Sequence, residues 1–462
     1  MNTVDKGMGK NEPETLPHLF MNYSLWLPVF KVVPVKLNWK HVGIFSEAWS
    51  TRDPARVRDA EFQKLLRDWY IGAGLIPELP LRIVSVAKNI NLKTVIHGTA
   101  EAEAGRSSLA AVAWAAGVGA SDDDLMALFE AWADMYGKQY TYGRSEAEEM
   151  MRFGIFKDNL AYIEAHNHGN GSSYRLGLNE FADLTLEEFV ASGYAGTPTT
   201  EVEAEAERAV EVHHHHSSVE AIPASIDWRT RGAVTPVKNQ GRCGSCWAFA
   251  VVGAVEGTQA ISTGKLISGS EQQLTSCAPT STGNGCNGGP RLSTLDWVIN
   301  NGLASEEDYP YFSGNAGDPG VCKDPKPPVS LQISGQVRVS ANNEMALLIA
   351  LADRPVAISM QSDTRDFQLY THGIFTGEGC SPPRTGHAMV VVGYGTENGS
   401  DFWIVKNSWG ANWGESGYIR VMRGISPPHG VCSILLRPDY ATMKQQASFT
   451  SHENPSLAVA DT

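Results

Sequence analysis

The fold is decided by one stretch, residues 239–249, which reads NQGRCGSCWAF. A dense apolar run, residues 247–255, follows the second cysteine and closes at Gly257. Because Ser245 is a favourable helix N-cap, Cys246 is predicted to lie in the first turn of a largely buried helix. A thiol at that place lies at the positive end of the helix dipole, which favours the thiolate. The stretch therefore predicts a cysteine nucleophile.

The two cysteines of this stretch, Cys243 and Cys246, also fit a zinc or redox Cys-x-x-Cys pair. That alternative lacks support, because the chain has no second such pair for zinc and no strand–helix–strand pattern around this one. The total of seven cysteines equals three pairs and one left over, which indicates an oxidising compartment with one thiol kept free. Spacing alone leaves the pairing open among Cys243, Cys246, Cys277, Cys286, Cys322, Cys380 and Cys432.

Bulk composition excludes several classes of protein. The chain has 462 residues, enough for two or three domains of roughly 150 residues each. Its net charge of -14 argues against nucleic acid as a partner. No apolar run reaches the roughly 20 residues that a membrane-spanning helix needs, so no membrane span is predicted.

The N-terminal quarter is the least informative part of the sequence. Residues 1–107 mix tryptophan, proline and basic residues without a clear period, so they are either a small unrelated domain or upstream sequence wrongly joined to the gene. Residues 108–120 follow Arg106 with an apolar core and a Val118-x-Ala120 exit, which is typical of a secretory signal peptide. Since such signals belong at an N-terminus, a short buried helix is the alternative.

Residues 121–196 are predicted to be mainly helical, beginning at an acidic cap, residues 122–124. A longer helix is expected from about Ser145 to Asn167, because six residues recur on one face at steps of three or four. These six are Glu148, Arg152, Phe156, Asn159, Ile163 and Asn167. An extended stretch with period two follows, through Gly177, Asn179, Phe181 and Asp183. Because the helix face mixes polar and apolar residues, it is expected to make specific hydrogen bonds. The alternative is that these residues share one helix face by chance.

A linker and a tail flank the cysteine-containing region. Residues 197–221 combine many glutamates with four consecutive histidines, 213–216, which predicts a disordered linker. The histidines could bind a metal ion, but a solvated linker explains them as well, and we predict no metal site and no cofactor. Cleavage in this linker would release a domain spanning residues 222–440, which a polar tail, residues 441–462, follows.

The domain 222–440 has two different halves in sequence. Residues 240–325 are helical and rich in loops, whereas residues 330–436 consist mostly of strands. This order predicts an α+β fold with a helical half, a β-barrel-like half and a cleft between them. The expected strands are 356–360, 388–393, 402–407 and 417–422.

His387 is the candidate base for the thiol, because it stands at the start of one of these strands. A hairpin turn centred on residues 398–399 would bring Asn407 within three residues of facing this histidine, and a slightly irregular turn would close the gap. The amide oxygen could then accept from one ring N–H and leave the other nitrogen for the thiol. Trp409 is expected to cover that hydrogen bond; the alternative is a purely structural histidine.

Three motifs together, residues 243–247, 386–388 and 406–410, resemble the signatures of the papain-like cysteine proteases. The resemblance covers about residues 122–437, includes both motifs of the inhibitory prosegment, and is similar to plant enzymes of the cathepsin L-like branch. It implies a papain-like fold of two subdomains behind a helical prodomain. It also implies a Cys–His–Asn triad and an oxyanion-hole glutamine: Cys246, His387, Asn407 and Gln240.

The resemblance implies a cysteine endopeptidase made as a latent zymogen of the secretory pathway, bound for a vacuole or lysosome or for the extracellular space. Peptides and proteins would be its substrates, its own prosegment its intramolecular inhibitor, and cystatin-like proteins further inhibitors. Acid would activate it by breaking ion pairs at Asp183 and by charging the histidines 213–216. The rival hypothesis is a non-catalytic binding protein with the same fold. The implied disulfides are Cys243–Cys286, Cys277–Cys322 and Cys380–Cys432.

The resemblance also implies a pocket for the second substrate residue before the scissile bond. The following residues are expected to line this pocket and the neighbouring cleft: Gly288, Gly289, Pro290, Arg291, Ser359, Thr385, Gly386, Ala388, Trp409 and Arg437. Two arginines are unusual there, and either both reach solvent with their charged ends, or Arg437 faces inward and selects acidic or polar side chains. Gly386 departs from the aspartate or asparagine that many relatives carry before the histidine.

Overall fold

The computed structural model describes residues 121–138, 146–169, 171–196, 222–279, 285–381, 383–424 and 428–443. The expectations for residues 1–107, 108–120 and 197–221, and for the tail beyond residue 443, lie outside this range. The chain divides into two units, residues 1–164 and 165–462, which are described separately.

Two helices account for the described part of the first unit: α1 (Asp122–Met135) and α2 (Glu146–His168), whose last residues belong to the second unit. The side chain of Ser121 caps α1 and forms a capping box with Asp124. The two helices pack through aromatic rings, with Phe156 5.3 Å from Phe129 and 5.2 Å from Trp132 between ring centroids. The helix predicted from about Ser145 therefore forms, and its apolar face builds a small core.

The second unit begins with residues 165–196, which we call the arm. After the end of α2, the arm contains the strand β1 (Tyr174–Leu176) and the helix α3 (Leu186–Ala191). Thr185 caps α3 in a capping box with Glu188. The arm therefore consists, after the end of α2, mainly of a short strand and a capped helical turn.

The cysteine stretch opens the helix α4 (Cys246–Thr263), and Cys246 is its first residue, as predicted. Ser245 holds the N-cap position, but the prediction that its side chain caps the helix is wrong, since its hydroxyl lies 2.7 Å from that of Tyr311. The helix also continues past Gly257, where a Cβ would meet Pro355 Cγ at 2.6 Å. Gly257 therefore allows close packing, and the left-handed Gly264 ends the helix.

Five shorter helices follow α4 along the chain, and the first two of them pack near it. They are α5 (Glu271–Cys277), α6 (Arg291–Asn301), α7 (Ser313–Ala316), α8 (Glu344–Asp353) and α9 (Arg365–Leu369). One apolar cluster joins α4, α5 and α6 through Trp247, Val251, Leu274 and Leu295. This cluster is the core of the helical half.

The described strands form one mixed sheet in the order β1-β5-β8-β7-β6-β4-β9-β3, with β2 paired to β6 off this path. The remaining strands are β2 (Ile226–Asp227), β3 (Gly335–Arg338), β4 (Val356–Met360), β5 (Tyr370–Phe375), β6 (His387–Glu397), β7 (Ser400–Lys406), β8 (Tyr418–Met422) and β9 (Asp439–Thr442). A second apolar cluster packs Cys246, Ala250 and Ala254 of α4 against Ala388 and Val390 of β6. The α+β arrangement therefore places the start of α4 directly against the start of β6.

Three disulfides stabilise the second unit, and they are the pairs that the resemblance implies. Cys243–Cys286 holds the loop before α4, Cys277–Cys322 fastens the end of α5, and Cys380–Cys432 ties the loop after β5 to the loop before β9. Cys246 is the one cysteine left free.

Candidate active site

Cys246 is buried at the junction of α4 and β6. Burial raises the pKa of its thiol, while the backbone N–H of Ala388, the backbone N–H of Trp247 and the charge of Arg291 act in the opposite direction. The bond from Ala388 brings the sulfur next to the residue that follows His387 in the chain. The free thiol and the imidazole are thus neighbours across the junction.

His387 is fully buried and begins β6, where it pairs with Met360 of β4. Its Nε2 lies 2.7 Å from Asn407 Oδ1, which also accepts the backbone N–H of Ser408 at 2.8 Å. Because that N–H identifies the oxygen of the amide, the histidine must donate from Nε2. Its Nδ1 has no hydrogen-bond partner among the described residues and is left as the basic nitrogen. Burial lowers the pKa of His387 to about 4, and the bond to Asn407 opposes this shift.

A tight hairpin brings His387 and Asn407 together. Asn398 and Gly399 both have positive φ and pair Glu397 with Ser400 in a two-residue turn. The predicted irregular turn is wrong: the turn is regular, and an irregularity in the strand, between Val391 and Gly393, shifts the register by one residue instead. Asn407 follows the last residue of β7, so its side chain is free to turn towards the histidine.

Trp409 covers the His–Asn pair. Its ring centroid lies 4.7 Å from that of His387, and its side chain is fully buried. Trp413 packs edge-on against it at 4.9 Å. The indole therefore keeps water from the hydrogen bond between His387 and Asn407, as the sequence predicted.

Gln240 lies on the other side of the site, and its amide is held at both ends. Its Oε1 accepts from the Ser408 hydroxyl at 2.7 Å, while its Nε2 donates to Cys243 O at 3.0 Å and to Gly193 O at 3.2 Å. Gly193 belongs to the arm. A carbonyl of the arm therefore occupies the amide donor that the sequence assigns to an oxyanion hole.

The end of the arm runs along the cleft beside these residues. The Ser362 hydroxyl donates to Ala195 O at 3.1 Å, and Ala195 is buried. A Cβ built on Gly196 would lie 1.9 Å from Gly386 O, so only glycine fits at this point. The backbone of the arm thus fills the space that a substrate backbone would need beside Gly386.

Aromatic side chains of the arm cover the outer side of Trp409. Phe181, Phe189 and Tyr194 lie edge-on to its ring, at centroid distances of 5.6, 5.3 and 6.1 Å. Together with His387 on the inner side, these contacts surround the indole with rings. The arm and the candidate base therefore meet at the same tryptophan.

Polar contacts fix the register of the arm. Asn167 makes two hydrogen bonds to the backbone of Leu176, and Asn179 Nδ2 donates to Gln368 O at 2.7 Å. A Cβ on Gly177 would lie 2.8 Å from a methyl of Thr371. Asp183 is fully buried in the loop after Phe181. In the first unit, Phe156, Asn159 and Ile163 are buried, whereas Glu148 and Arg152 are half-buried.

Of the two arginines predicted for the pocket, Arg291 and not Arg437 is buried. Its side chain is 7% exposed, and its Nη2 lies 2.8 Å from Asp439 Oδ2. Arg437 is half-buried and contributes its backbone carbonyl to Arg291. The expectation that both charged ends reach solvent is wrong for Arg291, because a buried carboxylate 148 positions later in the chain pairs with it.

Sequence reasoning missed two residues that the structure places in the site. Ser408 orients both amides, Gln240 through its hydroxyl and Asn407 through its N–H. Asp439 is the fully buried partner of Arg291. The position of Ser408 next to Asn407 was a usable signal, whereas nothing local marks Asp439.

Two family models match different parts of this chain. The family model described as papain family cysteine protease matches residues 222–442, and that described as cathepsin propeptide inhibitor domain (I29) matches residues 129–189. The chain is 46% identical to cysteine protease XCP2 of Arabidopsis thaliana, over 68% of this chain and 85% of that protein. It is 42% identical to ananain of Ananas comosus, over 73% of this chain and 94% of that protein.

Solved proenzymes share the fold. A recombinant stem bromelain precursor matches with a TM-score of 0.62 at 40% identity, covering 69% of this chain and 99% of that one. The proform of the ragweed pollen cysteine protease Amb a 11 matches with a TM-score of 0.63 at 38% identity, covering 71% and 97%. Within the described residues, no helix is long and apolar enough to cross a bilayer. The chain therefore belongs to the papain family of cysteine proteases and carries that family's inhibitory propeptide, as a zymogen does.

Proposed function

We propose that this zymogen matures into a cysteine endopeptidase whose triad is Cys246, His387 and Asn407, with Gln240 as an oxyanion donor. One observation carries the proposal: the Nε2–H of His387 is committed to Asn407, which leaves Nδ1 basic beside a free thiol. The charge of Arg291 and two backbone N–H groups favour the thiolate against burial. Exposure of the cleft after maturation removes much of that burial.

The chemistry follows from these positions. The proton of Cys246 Sγ moves to His387 Nδ1, and the thiolate attacks the carbonyl carbon of a peptide bond. The oxygen takes the displaced electron pair and is held by the backbone N–H of Cys246 and by Gln240 Nε2. His387 then protonates the leaving amine, which leaves a thioester on Cys246. Water attacks the thioester while His387 takes its proton, and the acid product and the free thiol result.

Latency follows from the arm. Gly193 O occupies the Gln240 donor and Gly196 fills the space beside Gly386, so substrate cannot enter while the arm is bound. Cleavage in the linker 197–221, near residue 222, would release the protease domain, residues 222–440, from the prosegment, residues 121–196. Acid promotes this step. Three disulfides support maturation in an oxidising compartment of the secretory pathway.

The test is maturation and hydrolysis with matched variants. The full chain is incubated at pH 4.5 and at pH 7, the product is sequenced from its N-terminus, and hydrolysis of an internally quenched peptide is followed. Wild type is expected to yield a chain starting near Ile222 and to cleave the peptide, whereas Cys246→Ala does neither. Equal hydrolysis by Cys246→Ala would rule out Cys246 as the nucleophile, whereas no hydrolysis by matured wild type would favour the non-catalytic binding protein.

A further inference from the structure

The protease domain contains one acceptor pattern for N-linked sugars. Asparagine followed by any residue except proline, and then by serine or threonine, is the pattern that accepts such a sugar in secreted proteins. The chain contains three of these patterns, beginning at Asn22, Asn170 and Asn398, while the proline after Asn454 excludes a fourth. Asn22 and Asn170 precede residue 222 and lie outside the described residues. A matured enzyme would therefore carry one candidate, Asn398.

Asn398 lies at the tip of the hairpin between β6 and β7. It forms the two-residue turn with Gly399, and the φ angles of the two residues are 51° and 81°. The side chain of Asn398 is exposed and makes no hydrogen bond within the described part of the chain. No atom lies within 4 Å of a Cβ built on Gly399, so the space around the tip is open. The turn therefore leaves room for a bulky group on the amide nitrogen of Asn398.

The turn explains Asn398 and Gly399, but it does not explain Ser400. Asparagine and glycine tolerate positive φ best, so a tight hairpin turn alone would select this pair. Ser400 faces Glu397 in the strand ladder, and the hydroxyl of Ser400 makes no hydrogen bond among the residues that the structure describes. No contact of the fold requires a serine at this position. The serine is the residue that converts an ordinary turn into an acceptor for a sugar.

The tip lies far from the catalytic end of the hairpin. The strand β6 has 11 residues from His387 to Glu397, and each adds about 3.4 Å, so the tip lies roughly 30 Å from His387. Within the sheet, β6 lies between β7 and β4, so the tip projects from the end of the sheet. A sugar on Asn398 therefore leaves the cleft beside His387 open.

We propose that Asn398 is modified with an N-linked oligosaccharide. The proposal rests on the proposed maturation in the secretory pathway, which the three disulfides support. In the reaction, Nδ2 of Asn398 forms a bond to the anomeric carbon of an oligosaccharide. The bond from that carbon to the pyrophosphate of a lipid-linked donor breaks, its electron pair stays on the pyrophosphate, and the amide nitrogen gives up one proton.

The test is peptide mapping of the full chain with Cys246→Ala, expressed in plant cells behind an added secretion signal. Trypsin cuts after Arg384 and Lys406, so one peptide, residues 385–406, contains Asn398 and no other asparagine. We expect more than about half of this peptide to carry the mass of N-acetylhexosamine and hexose units, which a peptide glycosidase removes. The three disulfides, mapped in the same sample, report whether the chain has passed through an oxidising compartment.

Two substitutions of Ser400 are the matched controls. Ser400→Ala keeps the pair of Asn398 and Gly399, and with it any spontaneous deamidation, but should lower the modified fraction at least about tenfold. Ser400→Thr keeps the acceptor pattern and should be modified at least as fully as wild type. Because the serine hydroxyl makes no hydrogen bond in the described part of the chain, both variants should fold.

The outcomes separate the modification from the proposed function. An unmodified peptide from a chain whose three disulfides have formed overturns the proposal and leaves the peptidase and its compartment untouched. Equal modification of wild type and Ser400→Ala also overturns it, because the sugar would then not depend on the acceptor pattern. A chain isolated with reduced cysteines would contradict the oxidising compartment, and the proposal would fall with it.

Discussion

The hairpin of residues 387–407 and the arm, residues 165–196, meet at the same tryptophan but are held in different ways. The hairpin places His387 and Asn407 through a two-residue turn and a continuous strand ladder, so the pair is local and built into the sheet. The arm pairs its short strand β1 with β5 and reaches Trp409 through aromatic rings, and no disulfide ties it to the protease domain. The proposed base is thus built into the sheet, whereas the arm that covers it is held by non-covalent contacts alone.

The difference between the two regions has an electrostatic side as well. With the arm in place, burial keeps the imidazole of His387 neutral, since it lowers its pKa to about 4, and burial also raises the pKa of the Cys246 thiol. Both shifts favour a neutral thiol–imidazole pair over an ion pair. The arm therefore blocks substrate in a state in which burial disfavours the charged form of the thiol–imidazole pair.

The largest expected effect comes from the permanent region. His387→Ala in matured enzyme should lower kcat/KM by about 10²–10⁴-fold, because it removes the general base. It should leave the contacts between the arm and Trp409 intact, since those lie on the outer face of the indole. Peptide hydrolysis of enzyme matured by an added protease measures the effect. A loss below about tenfold would remove His387 from the mechanism.

The second largest effect is expected from a substitution that weakens the binding of the arm. Phe189 is fully buried against Trp409, and Phe189→Ala should weaken closure of the arm by about 3 kcal/mol, within the range for a truncated buried phenylalanine. Maturation of the full chain at pH 6 should then be much faster than in wild type. Met150→Ala, at an exposed position of the prosegment helix, is the control and should mature at the wild-type rate. Equal rates for all three proteins would contradict the role of the aromatic contacts.

Closure of the arm should depend on pH through the protonation of His387 in the hairpin. The closed state lowers the pKa of His387 to about 4, and opening lets it return towards its usual value of about 6.5. Between these values the closed state binds fewer protons, so closure is fully present above about pH 6.5 and is lost as pH falls towards 4. The effect is on the order of 1–3 kcal/mol.

Hydrogen exchange of residues 165–196 in the inactive variant Cys246→Ala measures this link. Protection should fall between pH 6.5 and pH 4.5, and adding His387→Gln should remove most of that fall. Adding Asp183→Asn instead tests the buried aspartate of the arm as the acid-sensitive group. If only Asp183→Asn abolishes the fall, the trigger lies in the arm and not in the catalytic pair.

The smallest effect concerns Ser408, which orients the side chain of Gln240. Ser408→Ala removes one buried hydrogen bond worth about 1 kcal/mol, so kcat should fall about fivefold with little change in KM. Thr263→Ala, at the exposed end of α4, is the matched hydroxyl control. A rise in KM at constant kcat would instead assign Ser408 to substrate binding.

Local patterns in the sequence predicted much of this site. The apolar run after Cys246 indicated the helix, and the turn at Asn398 and Gly399 brought His387 and Asn407 close, because both signals depend on neighbours in the chain. What the sequence could not predict depends on distant packing. Gly257 looks like a helix end, yet it serves a close contact with Pro355.

The choice between the two arginines shows the same limit. The sequence predicts both Arg291 and Arg437 in the pocket and favours Arg437 as the one that could face inward, but only the fold brings the buried Asp439 to Arg291. Local periodicity carries no information on an ion pair between residues so far apart along the chain. The prediction that Arg437 is the inward arginine is therefore wrong, because Asp439 of the strand β9 pairs with Arg291.

The central claim is that Cys246 is the activated nucleophile and that the arm covers it. Its most direct test is the rate of labelling of Cys246 by a thiol-reactive epoxide, measured by mass spectrometry on the uncut chain at pH 7 and on matured enzyme at the same pH. We expect stoichiometric labelling of matured enzyme at Cys246 and labelling at least about a hundredfold slower in the uncut chain, because closure by a few kcal/mol leaves few open molecules. Equal rates in the two forms, or a matured enzyme that is not labelled at Cys246, would contradict the account.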